Sequence, residues 1–361
     1  MKTSQPTAAT AYRAEEIFAT QGRHGPLSVD GRLQDSRLQD SRLQIDVHTT
    51  LSPTAGLPHD VRHGLLAAQK TLPPKYFYDD RGAQLFDAIC DLPEYYLTRT
   101  EQGLLQRVAA EIVALTQPSD VVELGSGAAR KTRIVLDALN HNGHELTYLP
   151  MDVSEGMLRR AARALLRDYP QLRVHAVVAD YERDWTLPPS ARRRLALFLG
   201  STIGNFTPAA TAAFLAKVRR ELAGGDHFLL GVDMVKPTAI IEAAYNDSQG
   251  LTAEFNRNIL RVINHHLDAD FDPERFTHVA FFNHAQSQIE MHLQACEAHH
   301  VTIRGLRERI AFAAGETIHT EISRKFTREA VEAMLGTAGF EMVRWYTPAN
   351  NYFGLALARA Q

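Results

Sequence analysis

Residues 120–132 read DVVELGSGAARKT. Asp120 to Leu124 is a short, mostly apolar run of strand length, and Gly125 and Gly127 break it at once. Lys131 to Leu139 then carries apolar residues at helical spacing. A buried strand, a glycine turn and a helix make the first half of a βαβ unit. Glycine is what lets the chain turn tightly there and lets a ligand approach the backbone. The same rhythm continues on the C-terminal side. LTYLPMD (146–152) and VHAVVAD (174–180) are strands that each end on an acid, with a helix from Met157 to Asp168 between them. Strands at Leu195–Leu199 and His227–Val232 flank a helix at Ala209–Leu222. Strands alternating with helices of this length predict right-handed crossovers and a parallel sheet.

Outside that block the alternation stops. Gln102–Leu115 predicts a helix leading into the first strand. Thr238–Leu267 predicts helix with a break near Ser248-Gln249-Gly250. Val279–Phe282, Gln288–Cys296 and Val301–Ile303 predict antiparallel strands. Thr327–Thr337 predicts a helix ending at Gly339, and Met342–Thr347 with Tyr352–Ala358 a closing strand pair. Residues 1–44 hold RLQDS twice in tandem and RLQ once more, too short a period for a solenoid. They predict a polar, disordered extension. The expected organisation is therefore an α/β doubly wound sheet domain (99–234 with 326–361) and a second, α+β lobe (45–98 with 235–325).

Composition removes several function classes. The 361 residues include 39 Lys+Arg and 42 Asp+Glu, a formal net charge of −3. No global positive field is available to hold nucleic acid or an anionic membrane. No uninterrupted apolar run reaches about 18 residues. The two cysteines, Cys90 and Cys296, exclude a disulfide framework and any CxxC zinc spacing. The 16 histidines are scattered, and the pairs His265-His266 and His299-His300 lack partners at metal-ligand spacing, so no metal is expected. The chain reads as a cytoplasmic monomer acting on a small molecule.

The acids in register on one sheet edge carry the chemistry. Asp152, after the second strand, has the reach to accept both hydroxyls of a ribose. Asp180, after the third, has the reach to accept an adenine amino group. A nicotinamide dinucleotide site would want a third glycine for its pyrophosphate, and Arg130 stands in that place. An acid-G-x-G loop with these two acids resembles the class I S-adenosylmethionine methyltransferases, whose cofactor has no phosphate. After the fourth strand, FLGSTIGNF (198–206) brackets a Ser-Thr pair with Gly200 and Gly204 and ends beside Asn205. An amide that both donates and accepts suits an amino acid's α-amine and carboxylate. Glu321 and Ser323, two apart on an extended segment, face the same side. An acceptor and a donor side by side suit a neutral imidazole, which has one N–H and one bare nitrogen.

A wider set of segments carries a closer resemblance: LPPKYFYDDRGAQLFDAICDLPEYYLTRTE, VVELGSGAARKTR, LPMDVS, FLGSTIGNF, LLGVDMVKP, AYNDSQGLTAEFNRNIL, IEMHL and ETIHTEISRKF. Together they resemble the histidine Nα-methyltransferase family of ergothioneine biosynthesis, which makes hercynine. The resemblance spans about residues 72–327 of the sequence. It implies a Rossmann-like methyltransferase sheet with a substrate-binding second lobe, S-adenosylmethionine as cofactor, and trimethylation of the histidine α-nitrogen by in-line displacement. It also implies cofactor contacts at Tyr78, Gly125, Lys131, Asp152, Asp180, Tyr181 and Gly200. Tyr95, Asn205 and Tyr245 would hold the amino acid's α-amine and carboxylate, with Asn205 and Tyr245 at the reacting end. Met291, Glu321 and Ser323 would face the imidazole. Tyr181 departs from the family's usual Phe, and Ala128-Ala129-Arg130 from its usual small polar run. The alternatives are an Nα-methyltransferase for another amino acid and, in a different class, a non-catalytic cofactor-binding or interaction protein.

Overall fold

The strand expected at Asp120–Leu124 lies fourth in an eight-stranded sheet, flanked by parallel partners on both sides. A computed structural model describes residues 40–48, 54–127, 129–140, 145–183 and 185–361. In chain order the strands are β1 (Leu43–Val47), β2 (Lys70–Thr71), β3 (Asp120–Leu124), β4 (Leu146–Asp152), β5 (Leu172–Val178), β6 (Arg194–Phe198) and β7 (His227–Asp233). β8 (Phe276–Asn283), β9 (Gln288–Ala295), β10 (His299–Ile303), β11 (Glu308–Phe312), β12 (Thr317–Arg324), β13 (Phe340–Tyr346) and β14 (Phe353–Ala360) follow. The helices are α1 (Leu57–Leu65), α2 (Asp80–Cys90), α3 (Tyr96–Thr116), α4 (Thr132–Asn140), α5 (Glu155–Asp168), α6 (Pro208–Glu221), α7 (Thr238–Ala243), α8 (Leu251–Leu267) and α9 (Arg328–Thr337).

The large sheet runs β1-β5-β4-β3-β6-β7-β14-β13, parallel except for β14 and β13. Order reverses at β3, so a crevice opens beyond the carboxyl ends of β3 and β6, where ligands of open α/β sheets bind. Strand alternation fills both faces. Val121 and Leu195 face a core with α3, α4 and α5. Val122 and Phe198 face another with α6 and α9. This is the doubly wound α/β sheet that the sequence led one to expect.

The chain leaves the large sheet at Met234 and returns at Phe326, where the two form a parallel bridge. Between them β8, β9 and β12 build a four-stranded sheet in the order β2-β12-β9-β8. Its core takes apolar side chains from α1, the 3-10 turn Pro74–Phe77, α2, α8 and this sheet, among them Phe77, Phe255, Ile259 and Leu293. The 247–250 break falls between α7 and α8, as the sequence led one to expect.

Two boundaries differ from expectation. Residues 1–39 of the expected extension lie outside the described residues. Residues 43–47, however, form β1, an edge strand parallel to β5. Arg42 fastens it by donating to the carbonyls of Leu166 (3.1 Å) and Pro170 (2.9 Å) at the end of α5, where helix carbonyls lack internal partners. The third RLQ thus enters the sheet, and the edge at 44 falls inside a strand. The extended segment expected around Glu321 and Ser323 is part of β12, which carries an irregularity between His319 and Glu321. Among the described residues no helix is long and apolar enough to cross a membrane.

Candidate active site

The loop after β3 is held by β4. Gly125 and Ser126 donate to the Met151 carbonyl at 2.9 and 3.1 Å. Gly125 (φ 71°) and Gly127 (φ 49°) take left-handed conformations, which glycine adopts without a steric penalty. Asp152 ends β4 with one carboxylate oxygen accepting from Gly127 N–H and the other from Ser154 N–H, both at 3.0 Å. Burial raises its pKa, against the pull of these amides. Each oxygen keeps a further lone pair for a ligand. Asp180, beyond β5, accepts from Glu182 N–H at 3.0 Å and pairs with Arg183 at 3.3 Å.

Tyr181 packs against Phe198, Phe206 and Phe214 at 5.6–6.3 Å between ring centres. Its ring lies so close to Gly125 that a Cβ there would come within 3.1 Å of it. Ser126 is buried in the loop beside the Tyr148 hydroxyl. A glycine turn, two fixed carboxylates and an aromatic wall suit a nucleoside with a free ribose diol and an exocyclic amine. Glu123, by contrast, turns inward. It accepts from the hydroxyls of Thr132 and Tyr148, and burial pushes its carboxyl up to about 7.

Lys131 is ion-paired with Glu101 of α3. Glu101 also accepts from the Gly200 N–H at 2.8 and 2.9 Å, one bond to each oxygen. Gly200 is left-handed (φ 80°), and a side chain on neighbouring Gly231 would overlap the Glu101 carboxylate. Lys131 and Gly200 therefore meet through an acid that sequence reasoning missed. Its signal was available: Glu101 occupies an apolar-face position between Leu97, Leu104 and Leu105 on α3, all buried.

On the other side, Glu321 of β12 pairs across the strands with Met291 of β9. Thr320 absorbs the irregularity by donating to Asn256 (2.7 Å), with the Met291 carbonyl at 3.0 Å. Beyond it the register is regular, so Glu321 and Ser323 share a face. Among the described residues no donor reaches the Glu321 carboxylate, although burial pushes it up to about 7, with Lys325 pulling the other way. Tyr78 is 48% exposed, yet burial raises its phenol well above the ordinary value, and the nearby Glu321 and Tyr181 add to the rise. Edge-to-face rings run from Tyr78 to Phe86, Tyr95 and Tyr245 at 5.6, 6.1 and 6.5 Å. This aromatic row joins the two halves of the site.

Asn205 closes a 3-10 turn, Thr202–Asn205. Gly204 in that turn presses on Arg324, since a Cβ there would lie 2.9 Å from the Arg324 carbonyl. Asn205 is thus delivered beside the end of β12, its amide without a partner among the described residues. Tyr245 bonds to Ser323 at 2.8 Å.

Beneath Tyr245 lies a buried charge cluster that no sequence signal resolved. Asp233, at the end of β7, pairs with Lys236 (2.5 Å) and Lys325 (2.9 Å). Tyr96 donates to Asp233 at 2.8 Å. The Asp-x-x-Lys spacing of VDMVKP was visible, but Lys325 comes from 92 residues further along the sequence.

Glu290, His292 and His319 bring possible ligand atoms within 4.8 Å of one another. The two imidazoles stack almost parallel (4.6 Å, 13°), so their in-plane lone pairs project along offset planes and do not converge beside the rings. His292 instead contacts Glu290 at 3.3 Å.

Residues 57–360 match the family described as "Histidine-specific methyltransferase, SAM-dependent". The chain is 47% identical over 307 residues to histidine N-alpha-methyltransferase of Mycolicibacterium smegmatis, covering 85% of this chain and 96% of that one. It is 45% identical over 318 residues to the protein of the same name in Mycobacterium tuberculosis, covering 87% and 99%. Ergothioneine biosynthesis protein 1 of Neurospora crassa is 31% identical over 311 residues, which cover 81% of this chain and 33% of the fungal protein.

Proposed function

This chain belongs to the family of histidine-specific, S-adenosylmethionine-dependent methyltransferases, and we propose that it trimethylates the α-nitrogen of L-histidine to hercynine, a step of ergothioneine biosynthesis. The observation that carries the ring specificity is Glu321. It is a desolvated carboxylate with no donor among the described residues, on one face with the Ser323 hydroxyl and opposite Met291. A neutral imidazole supplies the missing N–H to Glu321 and a bare nitrogen to Ser323. Met291 packs on the ring.

S-adenosylmethionine, when bound, supplies an electrophilic methyl group on a sulfonium. Asp152 would take the ribose hydroxyls and Asp180 the adenine amine. Tyr78 and Tyr181 would wall the cofactor, with Gly125 and Gly200 leaving room for it. Lys131, with two ammonium protons beyond its Glu101 bond, would donate at its amino-acid end. Asn205, Tyr245 and Tyr95 would hold the α-amine and carboxylate so that the nitrogen lone pair points along the carbon–sulfur axis. Such positioning is worth several kcal/mol of barrier. The α-amine must be neutral to attack. An α-amino group titrates near ~8, and a sulfonium beside it favours the neutral form. The tyrosines stay protonated, since burial raises Tyr78, Tyr95 and Tyr245. They act as hydrogen-bonding groups, not phenolate bases.

The second lobe, residues 45–98 with 235–325 apart from strand β1, is assigned to the substrate, and 99–234 with 326–361 to the cofactor. On this reading the enzyme acts in the cytoplasm as a monomer. The test is to incubate it with methyl-labelled cofactor and each of the twenty amino acids. Label on histidine supports the reading; label on another amino acid instead overturns it.

A further inference from the structure

The buried lysine beneath the site has three donor protons and three acceptors. Lys325 Nζ lies 2.9 Å from Asp233 Oδ2, 2.7 Å from Ser323 Oγ and 3.2 Å from Tyr245 Oη. Its side chain and that of Asp233 have no exposed surface. Burial works against its charge, but Asp233 and Tyr245 outweigh that and raise Lys325 above the ordinary lysine value. An ammonium donates and never accepts. Ser323 and Tyr245 must therefore each give a lone pair to Lys325.

That leaves the 2.8 Å bond between the two hydroxyls. A phenol is the better donor and an aliphatic hydroxyl the better acceptor, because the phenol oxygen delocalises its lone pair into the ring. Tyr245 then donates to Ser323. Both Ser323 lone pairs are filled, and only its proton remains to be offered.

We infer that Lys325 is a positioning residue that fixes the hydrogen-bond direction of Ser323, so that Ser323 meets the substrate ring as a donor only. This rests on the histidine reading above. It makes the site select the ring's chemistry and not merely its size. An unprotonated ring nitrogen is accepted at Ser323, and a ring N–H at that position meets a second proton. Glu321 imposes the opposite rule on the other nitrogen. Lys236 makes the arrangement separable from folding. Without Lys325, Asp233 still pairs with Lys236 at 2.5 Å and with Tyr96 at 2.8 Å, a balanced buried pair.

The test uses two isomeric substrates, pyrrol-2-yl-alanine and pyrrol-3-yl-alanine. Each has one ring N–H and no ring acceptor, placed at one or the other of histidine's nitrogen positions. One isomer therefore turns its N–H to Glu321, and the other to Ser323. Wild type is expected to prefer one isomer by roughly ten- to a hundredfold in kcat/KM, the range for mismatched polar groups in a closed site. Lys325→Met frees a Ser323 lone pair, and the preference should narrow severalfold while affinity for S-adenosylhomocysteine holds. A purely structural role would lower both isomers together. An unchanged preference in the folded variant overturns the inference. If the variant does not fold, nitrogen-15 spectra of labelled histidine bound to wild type with S-adenosylhomocysteine decide. One pyridine-type and one pyrrole-type nitrogen support it, and an imidazolium overturns it. Failure of wild type to bind or methylate histidine would instead sink the functional reading.

Discussion

Replacing Glu321 by glutamine should stabilise the free protein while weakening its hold on histidine. In the fold the Glu321 carboxyl is pushed up to about 7 from an ordinary 4.5, chiefly by burial. The folded state then binds a proton more tightly than the unfolded state does. Where the native state holds the extra proton, stability falls as pH rises. The cost of Glu321 is near zero below the unfolded value of 4.5, grows as pH climbs from there, and is complete above 7. Each pH unit of displacement is worth about 1.36 kcal/mol, so the full cost is about 3 kcal/mol at pH 8 and under about 1 kcal/mol at pH 5. Glutamine keeps the shape and never ionises. Urea unfolding of both proteins without ligand, at pH 5 and pH 8, isolates this group, because all other titrations cancel in the difference. The glutamine variant should gain roughly 2 to 3 kcal/mol more at pH 8 than at pH 5. An equal difference at both pH values refutes the desolvated-carboxylate argument. For wild type, histidine affinity should fall as pH drops through about 7, since the ionised carboxylate is a stronger acceptor for the ring N–H than the neutral acid, and the variant should lose that part of the dependence.

Asp152→Ala should weaken S-adenosylhomocysteine binding roughly ten- to a hundredfold by calorimetry, the worth of charged hydrogen bonds to a ribose; unchanged affinity would move the ribose elsewhere. Gly231→Ala should displace the Glu101 carboxylate that ties Lys131 to Gly200, costing about 1–3 kcal/mol in chemical unfolding as for other overpacked sites, and cofactor affinity should fall with it. Glu321→Ala should cut histidine kcat/KM roughly 5- to 150-fold by leaving the ring N–H unpaired. Adding Met291→Val frees volume opposite, and the ratio of histidine to tryptophan turnover should fall further; a fixed ratio in stable variants means that Glu321 does not read the ring.

The parts of the fold that the sequence revealed were those with local signals. β3 to β7 and their helices follow from apolar runs punctuated by glycines and acids. Glu321 and Ser323 were legible because strand period alone puts them on one face. β1 was missed because its LQIDV pattern follows two copies of a polar repeat. Glu101 and the Asp233, Lys236 and Lys325 cluster were missed for a different reason. A buried charge is tolerated only with its partner, and here the partners come from other elements: Glu101 meets Lys131 across 30 residues and Asp233 meets Lys325 across 92. No periodicity records such pairs. Glu123 is the converse case: it is the acid of the acid-G-x-G loop, yet its carboxylate is spent on Thr132 and Tyr148.

The central claim is that this site presents the α-nitrogen of histidine, and not its ring, to the methyl donor. Fragmentation mass spectrometry of the product from purified protein, L-histidine and S-adenosylmethionine tests it directly. The account predicts three methyl groups, all on the α-nitrogen, with an unmodified imidazole. A methyl group on the ring, or no methylated histidine, would contradict it.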